Sequence, residues 1–150
     1  MWRENFFCCR LHHGVIAAVK IAKADSAEAH VLQHEASMYD HCKRLQYKSL
    51  SGVLAAGPAI DGTAYMLATC LLPVVPVANC LLAKGQALRA VKALHSLHVL
   101  HGDIRSGNLL SVSDAEGSSD VIIIDLGQST YCKQASEFQQ ELQQTRDLFC

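Results

Sequence analysis

Asp103, Asn108 and Asp125 offer side-chain oxygens at intervals suited to catalysis. They lie in His101-Gly102-Asp103-Ile104-Arg105-Ser106-Gly107-Asn108-Leu109-Leu110 and in Val121-Ile122-Ile123-Ile124-Asp125-Leu126-Gly127. An aspartate with an asparagine five residues later, then a β-branched strand ending in Asp-x-Gly, is the oxygen set that phosphoryl transfer from ATP requires. Asp103 would stand beside the attacking hydroxyl, and Asn108 and Asp125 would each present an oxygen to Mg²⁺. Magnesium draws few ligands from protein, because phosphates and waters fill its octahedron. Two ligands and one base are therefore a complete set. Either motif alone is weak, since Asp-x-Gly after a strand is commonly a plain turn. Their order, with an apolar strand between them, is what carries weight.

Those residues need elements to hold them. Val15–Ile21 is a short β-rich run bounded by Gly14 and by Lys23-Ala24-Asp25, with Lys20 near its end. From Ser26 to Gln46 the chain reads as one amphipathic helix. Ser26 is its N-cap, preceded by Asp25 where negative charge suits the helix dipole. Val31, Leu32, Glu35, Met38, Tyr39 and Cys42 make one stripe at helical spacing. Glu35 lies inside that stripe, and a buried carboxylate requires a partner. Lys20 is the natural one. Glu28, in the first turn, reads better as a surface residue.

Together these segments resemble the protein-kinase-like superfamily, from about residue 15 to residue 130. His-x-Asp-x-x-x-x-Asn and Asp-x-Gly are similar to its catalytic and metal-binding loops, and Ala17-Ala18-Val19-Lys20 to its lysine-bearing strand. His34-Glu35-x-x-x-Tyr39 with Leu45-Gln46 is similar to a pattern of small divergent kinases, including fungal-type kinase-like domains. The resemblance implies an α+β fold of two lobes, residues 1–71 forming the small lobe and hinge and residues 72–150 a shortened large lobe. It implies ATP and Mg²⁺ as cofactors, with Asp103 and Arg105 catalytic and Asn108 and Asp125 on the metal. Lys20, held by Glu35, would grip the α- and β-phosphates. Ala18 would lie above the adenine, Leu110 below it and Ile124 at its back. His101 would support the catalytic loop.

The remaining elements follow in order. Strands are expected at Val53–Ala56 and Thr63–Ala68, separated by Gly57-Pro58 and an Asp61-Gly62 turn. Ala68 to Leu71 would occupy the place of the hinge, with Pro73 and Pro76 breaking the chain after it. A helix from Leu81 to His98 would carry Leu88, Val91, Leu94, His95 and His98 on one face. Another, Ala135–Phe149, would carry Phe138, Leu142 and Phe149.

Departures from the family pattern narrow the reading. Gly102 stands where regulated protein kinases carry the arginine that pairs with a phosphorylated loop, which argues against that control. Arg105 replaces the usual lysine and Leu126 the usual phenylalanine. No G-x-G-x-x-G precedes Lys20. Gly14 is the only glycine in the first 51 residues and fits a turn between strands Asn5–Leu11 and Val15–Ile21. No A-P-E follows Gly127. The resemblance therefore implies a domain shortened at both ends, with a protein partner to cover the exposed faces of the Leu81–His98 helix.

Composition bounds the alternatives. A formal net charge of −1 gives no electrostatic case for nucleic acid or an acidic membrane. Apolar stretches are broken well before the ~18 residues of a membrane span. The seven cysteines are odd in number and show no C-x-x-C, so free thiols in an intracellular, cytoplasmic protein are expected rather than a disulfide framework. Cys8-Cys9 with His12-His13 is a poor zinc set, because neighbours on a strand point to opposite faces. Transfer of the γ-phosphoryl group to a protein Ser/Thr hydroxyl is the leading expectation. The alternatives are a non-catalytic kinase-like fragment that binds a partner, or a small-molecule phosphotransferase, which would share HGD-x-x-x-x-N and I-D-x-G.

Overall fold

The computed structural model describes residues 5–10, 16–71, 74–76, 81–113 and 119–149, and its architecture is α+β. β1 (Asn5–Arg10), β2 (Ile16–Lys23), β3 (Val53–Ala59) and β4 (Ala64–Leu71) form an antiparallel sheet in the order β1-β2-β4-β3. Lys20 lies opposite Phe6 on one side and Leu67 on the other. Residues two apart on a strand share a face, so Ala18, Lys20 and Ala22 look the same way as Leu67. That face receives α1 (Ala27–His41): Ala22 packs with Ala29 and Leu32, and Leu67 with Met38 and Tyr39. The turn assigned to Gly14 lies outside the described residues.

Local chemistry sets the limits of α1. The Ser26 hydroxyl accepts the Ala29 N–H at 3.1 Å, satisfying a donor the helix start leaves unpaired. Ser26→Ala should cost about 1 kcal/mol, read by urea or thermal denaturation. At the other end the helix stops at His41, not Gln46 as its periodicity suggested. Lys43–Leu45 tighten into a 3-10 turn. Gln46 then turns back, its amide donating to the Tyr39 carbonyl at 3.0 Å while its Oε1 accepts the Val53 N–H at 2.9 Å. One side chain thus satisfies a helix-end carbonyl and starts β3.

Two strand limits also differ from expectation. Gly57-Pro58 lies within β3 rather than after it, with Pro58 opposite Tyr65. β3 is an edge strand, where a residue without an N–H leaves no ladder position empty. The hairpin turn is confined to the residues after Ala59, with Ile60, Asp61 and Gly62 all at positive φ. Ala68–Leu71, assigned to the connection, belong to β4, where Ala68 faces Val19 and Leu71 faces Ile16. Pro73 lies outside the described residues. Pro76 closes β5 (Val74–Pro76) as the partner of Leu110.

The second half is built around a hairpin. β5, β7 (Leu109–Ser113) and β8 (Ser119–Ile123) make an antiparallel sheet in the order β5-β7-β8. β6 (Val99–Leu100) pairs with β9 (Thr130–Tyr131). α2 (Leu81–His95) ends before His98, which is exposed and takes φ +60 as the chain turns into β6. Its buried face is Ala83, Gln86, Ala87, Ala90, Val91 and Leu94, whereas Leu88 and His95 are half-buried. α3 (Ala135–Asp147) buries Glu141, Leu142 and Thr145, and Phe138 and Phe149 are only half-buried.

One apolar core joins these parts. Met38 and Tyr39 of α1, Leu67 of β4, Val91 and Leu94 of α2, Leu109, Ile123, Leu126 and Leu142 form a single cluster. Leu50, fully buried, stitches the halves: its neighbours bond to β8 through Ser51 N–H to the Ile123 carbonyl at 3.1 Å and Ile123 N–H to the Ser49 carbonyl at 2.8 Å. The β7–β8 hairpin is therefore fixed against the segment that leads into the first sheet. No helix among the described residues is long and apolar enough to cross a membrane.

Candidate active site

Lys20 is where the distant parts of the chain meet. Its Nζ lies 3.0 Å from Glu35 Oε2 and 3.0 Å from Asp125 Oδ1. Glu35 is 2% exposed, so the carboxylate that broke the apolar stripe of α1 does have its cation. Burial alone would lower the Lys20 pKa, but Glu35 and then Asp125 outweigh it and hold the ammonium above its ordinary value. Burial likewise would raise Asp125, and Lys20 more than reverses this, keeping the carboxyl below the usual range.

Asp125 itself sits at φ +64. A non-glycine residue in that region carries a strain of roughly 1–3 kcal/mol and persists only where its surroundings hold it. Here its N–H donates to the Tyr39 hydroxyl at 3.3 Å, and its Oδ1 accepts the Gly127 N–H at 3.4 Å besides the lysine. Asp25 and Asp61 take the same region in turns, so what sets Asp125 apart is the set of bonds that hold it. Glu35, Tyr39 and Gln46 of the His34-to-Gln46 pattern thus each have a job: one holds the lysine, one holds Asp125, and one ends the helix.

The loop of Asp103 is organised by His101, which is fully buried. Its Nε2 lies 3.0 Å from the Ile124 carbonyl, and its Nδ1 accepts the Asp103 N–H at 3.2 Å. A carbonyl can only accept and an amide can only donate, so the two bonds define the Nε2–H tautomer. The ring therefore ties the base candidate to the end of β8. Asn108, 3% exposed, donates its amide to Asp103 Oδ2 and to the Asp103 carbonyl, both at 2.9 Å. Arg105 Nε also reaches Asp103 Oδ2, at 2.9 Å.

What these bonds leave open matters most. Among the described residues nothing hydrogen-bonds Asp103 Oδ1, Asn108 Oδ1 or Asp125 Oδ2. Ile124 N–H donates to the Asn108 carbonyl at 3.1 Å, one step beyond the Leu109–Ile123 pair. Asn108 and Asp125 consequently flank the same open end of the β7–β8 hairpin. Their free oxygens are of the kind that suits Mg²⁺.

One supporting residue was missed by the sequence reading. Glu141 of α3 is 5% exposed and accepts three hydrogen bonds: His95 Nε2 at 2.7 Å, Gly102 N–H at 2.8 Å and His101 N–H at 3.2 Å. Burial would raise its carboxyl, but His95 and the two N–H groups outweigh that and lower it. It carries the backbone of the Asp103 loop from beneath. The available signal was the one that found Glu35: a charge on the stripe of Phe138, Leu142 and Thr145.

Above these groups lies a cavity of about 600 Å³. Lys20 and Lys23 line it from β2, Ser26 and Glu28 from the start of α1, and Asp103, Arg105, Asp125 and Gln128 from the opposite wall. Lys20, Asp103, Arg105 and Asp125 are thus brought onto one space. Asn108, expected beside Asp125 on the metal, and Glu35 are buried and do not line it, and neither do Ala18, Leu110 and Ile124, the expected adenine contacts. Ala18 is buried on the same strand face as Lys20, and Leu110 and Ile124 are half-buried. Cys8 and Cys9 are exposed free thiols, and His12 and His13 lie outside the described residues. Comparison with protein-family models and with curated proteins gives no match to the chain.

Proposed function

We propose that the chain is a protein-kinase-like phosphotransferase of two lobes, moving the γ-phosphoryl group of ATP to a Ser/Thr hydroxyl on a protein. The observation that carries the reading is the position of Lys20, bound at 3.0 Å to a carboxylate of α1 and at 3.0 Å to the carboxylate at the end of β8. A cation held by two carboxylates over an open cavity is placed to receive phosphate oxygens. Positioning and electrostatics are nearly all that phosphoryl transfer asks of a protein.

Asp103 would take the proton of the acceptor hydroxyl on its free Oδ1 as the hydroxyl oxygen bonds to the γ-phosphorus and the bond from that phosphorus to the β–γ bridging oxygen breaks, ADP leaving with that oxygen. Arg105 and the Asn108 amide keep its Oδ2 occupied, so one oxygen is left for the acceptor. Arg105, largely exposed, can swing to the transferred group at little cost, because an exposed ion pair is worth at most about 1 kcal/mol. Asn108 and Asp125 would hold Mg²⁺, whose charge would offset that building on the phosphates.

The test is transfer of labelled γ-phosphate in the presence of Mg²⁺, offered in parallel to Ser/Thr peptides and to small hydroxylated acceptors. Label on the peptides supports the proposal, and label on the small acceptors alone moves the assignment to a small-molecule phosphotransferase. A second expectation concerns Asp125→Asn. Removing the charge that faces Lys20 and Mg²⁺ should weaken magnesium-dependent nucleotide binding by about tenfold or more, at 1.4 kcal/mol per factor of ten. Titrations with and without Mg²⁺ measure it.

A further inference from the structure

We propose that Ser129 is a positioning residue that fastens α1 to the Asp103 loop, through His34 on one side and His101 on the other. Ser129 is completely buried. Its hydroxyl donates to the His101 carbonyl at 3.0 Å, and its own carbonyl lies 2.8 Å from His34 Nε2, which must therefore be the donor. His34 is the neighbour of Glu35 on α1, so the helix that holds Lys20 also reaches the segment after Asp125. His101 in turn accepts the Asp103 N–H. A hydrogen-bonded path thus runs from α1 through Ser129 to the backbone of the catalytic loop.

The surrounding chain is shaped to bring Ser129 there. Gly102 adopts φ +81, and a Cβ on it would run into the carbonyl oxygen of Gln128. Only glycine lets the segment before Ser129 lie so close to the loop. Beyond it, Cys132 N–H donates to the His98 carbonyl at 2.8 Å, and Thr130 and Tyr131 pair with Leu100 and Val99. The segment is held against the loop on both sides of the serine. The absence of a side chain at residue 102 is thereby a requirement for docking.

The role of the loop in catalysis rests on the phosphotransfer reading, but the coupling can be measured without it. Hydrogen exchange followed by mass spectrometry on the full chain compares wild type with His34→Ala, Ser129→Ala and Ser129→Thr. His34 is exposed, and among the described residues its side chain is hydrogen-bonded to Ser129 alone, so His34→Ala leaves the core untouched. If Ser129 transmits position, His34→Ala and Ser129→Ala both speed exchange at residues 101–105 by roughly fivefold or more, and Ser129→Thr restores protection. Faster exchange confined to residues 127–132, with 101–105 unchanged, overturns the inference. Turnover and MgATP affinity of the same variants supply the second readout: kcat falls while Kd stays within about twofold. Coupled exchange in a chain that binds no MgATP would remove the proposed function and leave the link standing. MgATP binding without coupled exchange would remove the link alone.

Discussion

Asp103→Asn should abolish phosphoryl transfer and leave MgATP binding intact. The substitution keeps the size of the side chain and keeps an oxygen for Arg105 or Asn108, so the loop retains its shape. It removes the group proposed to take a proton from the acceptor. A positioned general base is worth about 10²- to 10⁴-fold in rate, and a loss in that range is the expected result. Affinity should change by no more than about twofold, because the contacts assigned to nucleotide and metal lie on Lys20, Asn108 and Asp125. Single-turnover transfer and equilibrium titration on the same preparation separate the two quantities. Equal loss of rate and affinity in a folded variant would contradict the role given to Asp103.

Glu141→Ala should have the largest effect on stability. It removes a buried acceptor and leaves the N–H groups of His101 and Gly102 unpaired beneath the Asp103 loop, together with the imidazole of His95. Breaking one side of a buried, hydrogen-bonded charge costs about 3–5 kcal/mol. Glu141→Gln keeps one acceptor oxygen and should lose less. Both variants also lack the titrating carboxyl and should therefore differ from wild type in pH response. The folded-state pKa of Glu141 is lowered relative to the unfolded chain. Its contribution is therefore fully present above the unfolded carboxyl value, near ~4.3, and fades as pH falls through the lower folded value. Urea denaturation between neutral and acidic pH should show a shallower acid loss of stability in Glu141→Gln than in wild type. Parallel curves would mean that Glu141 is not the carboxyl holding the loop.

What could be read from the sequence was whatever one residue type could signal against its local pattern. Glu35 stood out because a carboxylate interrupted an apolar stripe, and the requirement for a partner led directly to Lys20. The Ser26 cap and the Asp61-Gly62 turn were legible because each is decided within a few residues. The helix end at His41 was not, since it depends on Gln46 reaching back to Tyr39 and forward to Val53. Nor were β6 and β9, each two residues long: only pairing across some thirty residues makes them strands. Gly57-Pro58 read as a break because edge position, which makes proline harmless, is a property of the sheet. The carboxylate rule reached Glu35 and stopped short of Glu141, where two of the three partners are backbone N–H groups and the third, His95, lies 46 residues away on another helix.

MgATP binding by the purified chain, measured by calorimetry with Asp125→Asn alongside, decides whether the cavity beside Lys20 takes a nucleotide. Binding by the wild type should depend on magnesium and should be weakened or lost in the variant. A folded wild-type chain that binds no MgATP, or one that binds it equally well without Asp125, would contradict the assignment of this cavity to phosphoryl transfer.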